Sequence, residues 1–166
     1  TFKIMKKCCF IGLGYIGLPS ALLFAESGFE VLGVDINEEV IKNLNFGKSH
    51  INEPFVNEML KNSIIQKKLT ITNKPNFADA FFITVPTPII NLHRKKEPNL
   101  KFVYSAINSI IPYIKKGNMI ILESTSPVGT TDNICELILK KTGFKKEDIF
   151  IAYCPERVLP GNIIYE

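Results

Sequence analysis

Short, nearly continuous apolar runs alternate along this chain with longer stretches whose apolar residues recur every three or four positions. The runs Lys7–Ile11, Val31–Val34, Leu69–Thr72, Ala80–Val85, Met119–Leu122 and Ile149–Tyr153 predict strands. They lack polar alternation, which points to strands buried on both faces. Between them, Tyr15–Ser27 reads as a helix, with Pro19 tolerated near the first turn and Gly28 as its stop. Asn37 is placed to cap a second helix to about Leu44, closed by Gly47. Pro54 opens a third, with Phe55, Met59 and Leu60 on its apolar side. Leu100, Val103, Ile107, Ile110, Ile111 and Ile114 follow helical spacing up to Gly117, and Thr130–Lys141 forms the last helix. Residues 89–98 carry His93, Arg94, Lys95 and Lys96 and predict an exposed, irregular basic loop.

Strand and helix alternate throughout, with no internal repeat and no low-complexity linker. The prediction is one α/β domain built on a doubly wound, mostly parallel sheet of the Rossmann type. In such a domain function sits at the carboxyl ends of the strands.

Composition narrows the picture. The chain has 166 residues, 46% hydrophobic and 22% charged, which allows a real core and excludes disorder, collagen and coiled coil. Its net charge of +4 comes from 20 basic and 16 acidic residues. Only Arg94 and Arg157 are arginines, so the basic charge is dispersed lysine. That argues against a nucleic-acid partner, which calls for arginine forks and a concentrated basic face. Cys8, Cys9, Cys135 and Cys154 form no CxxC pair and no cluster with His50 or His93, so no metal is expected. Adjacent on a strand, Cys8 and Cys9 point to opposite faces, and the four thiols are expected buried and reduced. Lys6 and Lys7 precede an uncharged run to Ala25 that imitates a signal peptide or membrane span. Gly12, Gly14, Gly17 and Pro19 interrupt it, so a soluble cytoplasmic protein without a membrane partner is expected.

Those glycines form the turn Gly12-Leu13-Gly14-Tyr15-Ile16-Gly17. It follows a predicted strand and opens a predicted helix, the context in which this spacing cradles a dinucleotide. Gly12 permits the turn, Gly14 lets backbone approach a pyrophosphate, and Gly17 lets helix lie close on strand. The N–H groups near Tyr15 and Ile16 would face the phosphates. Asp35 ends the second strand 18 residues after Gly17, where a carboxylate accepts the adenosine ribose hydroxyls. Ile36, Asn37, Glu38 and Glu39 follow, with no arginine for a 2′-phosphate, so NAD is expected over NADP. The alternative is a domain that uses its glycines for packing alone or binds another adenosine compound.

Three further strand ends carry unusual loops. Thr84-Val85-Pro86-Thr87-Pro88 would hold the Thr87 hydroxyl at the sheet edge, or simply end a strand. Glu123 to Thr131 gathers hydroxyls before a helix, where Thr130 or Thr131 could equally be a cap. Tyr153 to Gly161 sets Glu156 beside Arg157, which could also be a surface ion pair.

The segments IGLGYIGLPSA (11–21), GVDIN (33–37), HINEP (50–54), VPTP (85–88), ILESTSPVGTT (121–131) and AYCPERVLPG (152–161) span nearly the whole chain. Together they resemble the N-terminal domain of the UDP-glucose/GDP-mannose dehydrogenase family, and the last points to its acetamido-sugar branch. The resemblance implies a two-step oxidation of a nucleotide-sugar C6 hydroxyl to a carboxylate, reducing two NAD. A cysteine thiolate captures the aldehyde as a thiohemiacetal, and a second hydride transfer gives a thioester that water hydrolyses. The UDP-sugar expected is UDP-N-acetyl-D-mannosamine, with a UDP-glucose-type substrate as the alternative.

Carried over by position, Gly12, Gly14, Tyr15, Ile16, Gly17, Asp35, Thr87 and Thr131 would serve the cofactor. Glu156 and Thr125 would be catalytic, and Arg157 and Val158 would meet the sugar nucleotide. The loop at 89–98 looks longer and more basic than the family pattern. The family also continues into a connecting helix and a second domain with the nucleophilic cysteine and a catalytic lysine. No such cysteine motif occurs here, and Cys154, before Pro155, is not its equivalent. The chain is therefore expected to be a fragment of a longer, homo-oligomeric enzyme, inactive alone. A β-hydroxyacid-type dehydrogenase shares the glycine turn but not the later segments. A stand-alone NAD-binding module is the non-enzymatic alternative.

Overall fold

The computed structural model describes residues 5–92 and 95–155. In chain order the elements are β1 (Lys7–Ile11), α1 (Gly17–Glu26), β2 (Glu30–Val34), α2 (Glu38–Asn45), α3 (Val56–Ile65), β3 (Leu69–Thr72) and β4 (Ala80–Ile83). A hairpin of β5 (Ile89–Leu92) and β6 (Lys95–Pro98) follows. Then come α4 (Lys101–Ile110), β7 (Met119–Leu122), α5 (Thr130–Thr142) and β8 (Phe150–Tyr153). Six strands form a parallel sheet in the order β3-β2-β1-β4-β7-β8. The chain winds outward from β1 through β2 to β3, then returns to β4 on the other side of β1. That reversal opens a crevice at the carboxyl ends of β1 and β4, as the doubly wound reading requires.

The sheet separates two apolar layers. One packs Phe10 and Phe82 against Leu18, Leu22 and Leu60 of α1 and α3. The Phe10 and Phe82 rings stack with centroids 4.4 Å apart, and Phe24 meets both edge-on. The other layer packs Phe81 and Ile83 against Val103, Ile107, Ile134 and Ile138 of α4 and α5. Cys8 belongs to the first layer and Cys9 to the second, as adjacent strand residues must. Burial of all four thiols does not hold. Cys135 is half-buried and Cys154 is exposed, because α5 and β8 lie at the sheet's outer side.

Asn37 caps α2 as its position implied. Its side-chain oxygen accepts the Glu39 and Val40 N–H groups at 3.0 and 3.3 Å. Several boundaries move, β4 ending at Ile83 instead of Val85 and α4 at Ile110. α1 starts at Gly17 instead of Tyr15, because residues 12–16 are taken up by the turn. α3 starts at Val56, and Phe55 before it holds a left-handed φ of 65°. A β-carbon makes that region costly by about 1–2 kcal/mol.

The stretch 89–98 is a correction. Its described residues, 89–92 and 95–98, are not irregular but pair as two antiparallel strands, Ile89 with Pro98 and Leu92 with Lys95; His93 and Arg94 lie outside the described residues. Ile89 and Ile90 favour extended backbone, and the Asn99 N–H closes the base on the Pro88 carbonyl at 2.8 Å. The lysines are compatible with strands here because this ribbon lies outside the main sheet, where charge blocks further pairing. Among the described residues, no helix is long and apolar enough to cross a membrane.

Candidate functional site

The register places the glycine turn between two strand ends. Ile11 pairs with Val34 of β2 on one side and with Ile83 of β4 on the other. Leaving β1, Gly12 takes φ +100°, and its N–H donates to the Val34 carbonyl at 2.8 Å. A β-carbon at Gly12 would stand 2.9 Å from the Thr84 carbonyl oxygen. One at Gly17 would run into the Gly12 carbonyl oxygen and the Thr84 hydroxyl. At Gly14 it would meet nothing within 4 Å. The first and third glycines are thus forced by the protein's own packing. The second leaves open space at the mouth of the crevice. Among the described residues no side chain caps α1, and its first turn is closed by backbone, the Leu18 and Ser20 N–H groups donating to the Gly14 and Ile16 carbonyls at 3.0 and 3.2 Å.

Asp35 faces this turn from the end of β2. One carboxylate oxygen accepts the Leu13 N–H at 2.9 Å, and the other accepts the Asn37 N–H at 2.9 Å. Two backbone donors fix the carboxylate before any ligand arrives. Gly12, Gly14 and Asp35 line one cavity of about 400 Å³, a size suited to a nucleotide. Its other walls come from Asn73 and Pro75 beyond β3, residues 84–86 beyond β4, and Phe102, Ser105 and Ser109 of α4.

The neighbouring strand ends are held by buried hydroxyls. Thr84 donates from its side chain to the Gly12 carbonyl at 2.7 Å and approaches the Ile11 carbonyl at 3.0 Å. One strand further out, Ser124 donates to the Val85 carbonyl at 2.7 Å and lies 3.1 Å from that of Ile83.

The remaining anticipated residues are spread more widely. Tyr15 and Ile16 form the step from turn to helix, with Tyr15 half exposed at 50%. Thr87 is half-buried just past the cavity wall. Thr125 is exposed in the loop after β7. Thr131 lies in the first turn of α5 and lines a separate depression with Cys135, Lys146 and Ile149. The cap at α5 is Gly129, and the Thr130 hydroxyl donates to the Pro127 carbonyl at 2.7 Å. Glu156, Arg157 and Val158 lie outside the described residues. Thr84, Asn73 and the α4 face with Phe102, Ser105 and Ser109 were not anticipated as site residues. Among the described residues, no three histidine, cysteine or acidic side chains gather as a metal site.

The sequence profile of the UDP-glucose/GDP-mannose dehydrogenase family, NAD-binding domain, matches residues 6–166. The chain belongs to this family. A UDP-N-acetyl-D-mannosamine dehydrogenase of Methanococcus vannielii is 47% identical over 163 residues, which are 98% of this chain and 36% of that protein. One from Campylobacter jejuni is 44% identical over 169 residues, covering 97% of this chain and 41% of that protein. A solved UDP-N-acetyl-mannosamine dehydrogenase from Staphylococcus aureus superposes with a TM-score of 0.91 at 41% identity, over 96% of this chain and 38% of that one. The chain therefore spans under half the length of the dehydrogenases it matches.

The family domain binds NAD, and the residues present fit that cofactor. Open space at Gly14 leaves room for a pyrophosphate against backbone, and the fixed Asp35 carboxylate offers acceptors to a ribose diol. Ile36 and Asn37 line the cavity beside Asp35, with Glu38 and Glu39 next in sequence, and among the described residues no cationic side chain lines it.

Proposed function

We propose that this chain is the cofactor half of an NAD-dependent UDP-sugar 6-dehydrogenase that oxidises UDP-N-acetyl-D-mannosamine to UDP-N-acetyl-D-mannosaminuronate. The observation that carries the reading is Asp35, held by two backbone N–H groups across from the open Gly14 turn. The sugar comes from the relatives' names, and the length of those relatives supplies the rest of the enzyme.

Bound NAD supplies the hydride acceptor. In this reading Gly12, Gly14 and Gly17 shape the turn, and the N–H groups at Tyr15 and Ile16 meet the phosphates. Asp35 accepts the adenosine ribose hydroxyls. Thr87 lines the path of the cofactor and Thr125 stands near the reacting carbon, whereas Thr131, in its separate depression, takes no part in that path. Glu156 handles water and protons there, while Arg157 and Val158 hold the sugar nucleotide. The nucleophilic cysteine belongs to the part of the enzyme beyond this domain. We assign the full enzyme to the cytoplasm, as a homo-oligomer serving polysaccharide synthesis.

Calorimetric titration of the full-length protein with NAD and NADP tests the cofactor assignment. NAD should bind more tightly, because a 2′-phosphate would lie against the Asp35 charge. Asp35→Ala should weaken NAD binding by roughly one to two orders of magnitude, the scale of hydrogen bonds to a charged group, and narrow the gap. Equal affinities for the two cofactors in the parent would overturn it. NADH formation from UDP-N-acetyl-D-mannosamine, compared with UDP-glucose, tests the sugar.

A further inference from the structure

We propose that Thr84 is a positioning residue for cofactor binding, acting on Asp35 through the single peptide that joins Gly12 to Leu13. The inference rests on the reading that the glycine turn and Asp35 hold NAD. A trans peptide carries its carbonyl and its N–H on opposite sides. Here the Gly12 carbonyl oxygen accepts the Thr84 hydroxyl at 2.7 Å, while the Leu13 N–H donates to the Asp35 carboxylate at 2.9 Å. One rigid plane is thus pinned at both ends, and Thr84 touches Asp35 only by way of it.

The pin is needed because glycine does not hold the plane itself. Gly12 sits at φ +100°, and its freedom would let the Gly12–Leu13 peptide swing. Thr84 is itself well anchored. Its N–H donates to the Ile11 carbonyl at 3.0 Å, and the residue is 8% exposed. Water cannot readily replace a hydroxyl removed from such a place. Loss of the pin would leave the Gly12 carbonyl short of a donor. It would also free the Leu13 N–H to turn from Asp35, whose carboxylate would keep only the Asn37 N–H. The four preceding residues of β4 are all apolar, Ala80-Phe81-Phe82-Ile83, so a hydroxyl is not part of the layer packing.

The test is calorimetric binding to the full-length protein, with circular dichroism as the check on folding. Thr84→Ala should weaken NAD about tenfold, the worth of one buried hydrogen bond. AMP, which carries the adenosine ribose, should weaken by the same factor. Thr84→Ser should recover most of the affinity. In an Asp35→Ala background, Thr84→Ala should cost at most about twofold more, since both act through one contact. Thr84→Val serves as a second variant that keeps the bulk and removes the hydroxyl.

Parent-like NAD affinity in either folded variant would overturn the proposal. So would a full tenfold further loss without Asp35, which would make the two residues independent. If neither variant folded, the hydroxyl would be structural and the proposal would fall. A parent protein that does not bind NAD, or an Asp35→Ala protein that binds it unchanged, would remove the underlying reading and this proposal together.

Discussion

Alanine at Gly14 should leave the fold intact and weaken NAD binding, whereas alanine at Gly17 should damage the fold itself. Both residues belong to the same glycine motif. Their surroundings differ. A β-carbon at Gly14 meets nothing within 4 Å, and Gly14 does not hold a left-handed φ, so the free protein tolerates a methyl there. The methyl would occupy the place where a pyrophosphate approaches the backbone. A loss of roughly ten- to a hundredfold in affinity is expected, equivalent to overpacking by about 1–3 kcal/mol. At Gly17 the methyl would collide with the Gly12 carbonyl oxygen, a backbone atom that cannot rotate away, and with the Thr84 hydroxyl. That cost falls on folding, with a melting temperature lower by about 2–4 °C for each kcal/mol in a protein of this size. Thermal melts and NAD titrations of both variants separate the effects. A Gly14→Ala protein that binds NAD like the parent would mean that phosphates do not come to this turn.

Alkaline pH should unfold the domain steeply, and Cys8 and Cys9 are the reason. Both are wholly buried, one in each apolar layer. Burial raises each thiol from its ordinary value of 9.0 to about 12, with Asp79 adding to the rise at Cys8. The folded state therefore keeps two protons that the unfolded state releases above pH 9. Stability is fully present below pH 9 and is lost as pH rises toward 12. The slope is about 1.4 kcal/mol per pH unit for each thiol. Urea titrations at pH 8 and pH 10.5 should show the midpoint fall, and Cys8→Ala with Cys9→Ala should flatten that dependence. An unchanged pH dependence in the double variant would assign alkaline unfolding to other groups.

Local signals carried much of this architecture, and the failures have a common physical origin. Asn37 was legible because a cap is set by the next three residues. The place of Asp35 beside the glycine turn was legible because it ends an apolar strand 18 residues past that turn. The hairpin at 89–98 was missed because its lysines outweighed Ile89 and Ile90, although charge is no obstacle to strands outside the main sheet. Thr84 was missed for a different reason. Its partner Gly12 lies 72 residues away, and only the parallel register of β1 with β4 brings them together. The α4 face of the cavity was hidden in the same way. The spacing of Val103, Ile107 and Ile110 marks the helix, but only the fold sets Ser105 and Ser109 against the crevice.

Two neighbouring thiols on opposite sides of one sheet also provide a built-in gauge of cooperativity. An alkylating reagent at neutral pH reaches exposed Cys154 at once, and Cys8 and Cys9 only when their own layers open. If the layers separate from the sheet together, partly labelled chains will carry both buried adducts or neither. If one layer loosens first, a population marked on Cys8 alone or Cys9 alone will accumulate. Intact mass spectrometry followed by peptide mapping would then tell which side of the sheet gives way, without a probe having to be introduced.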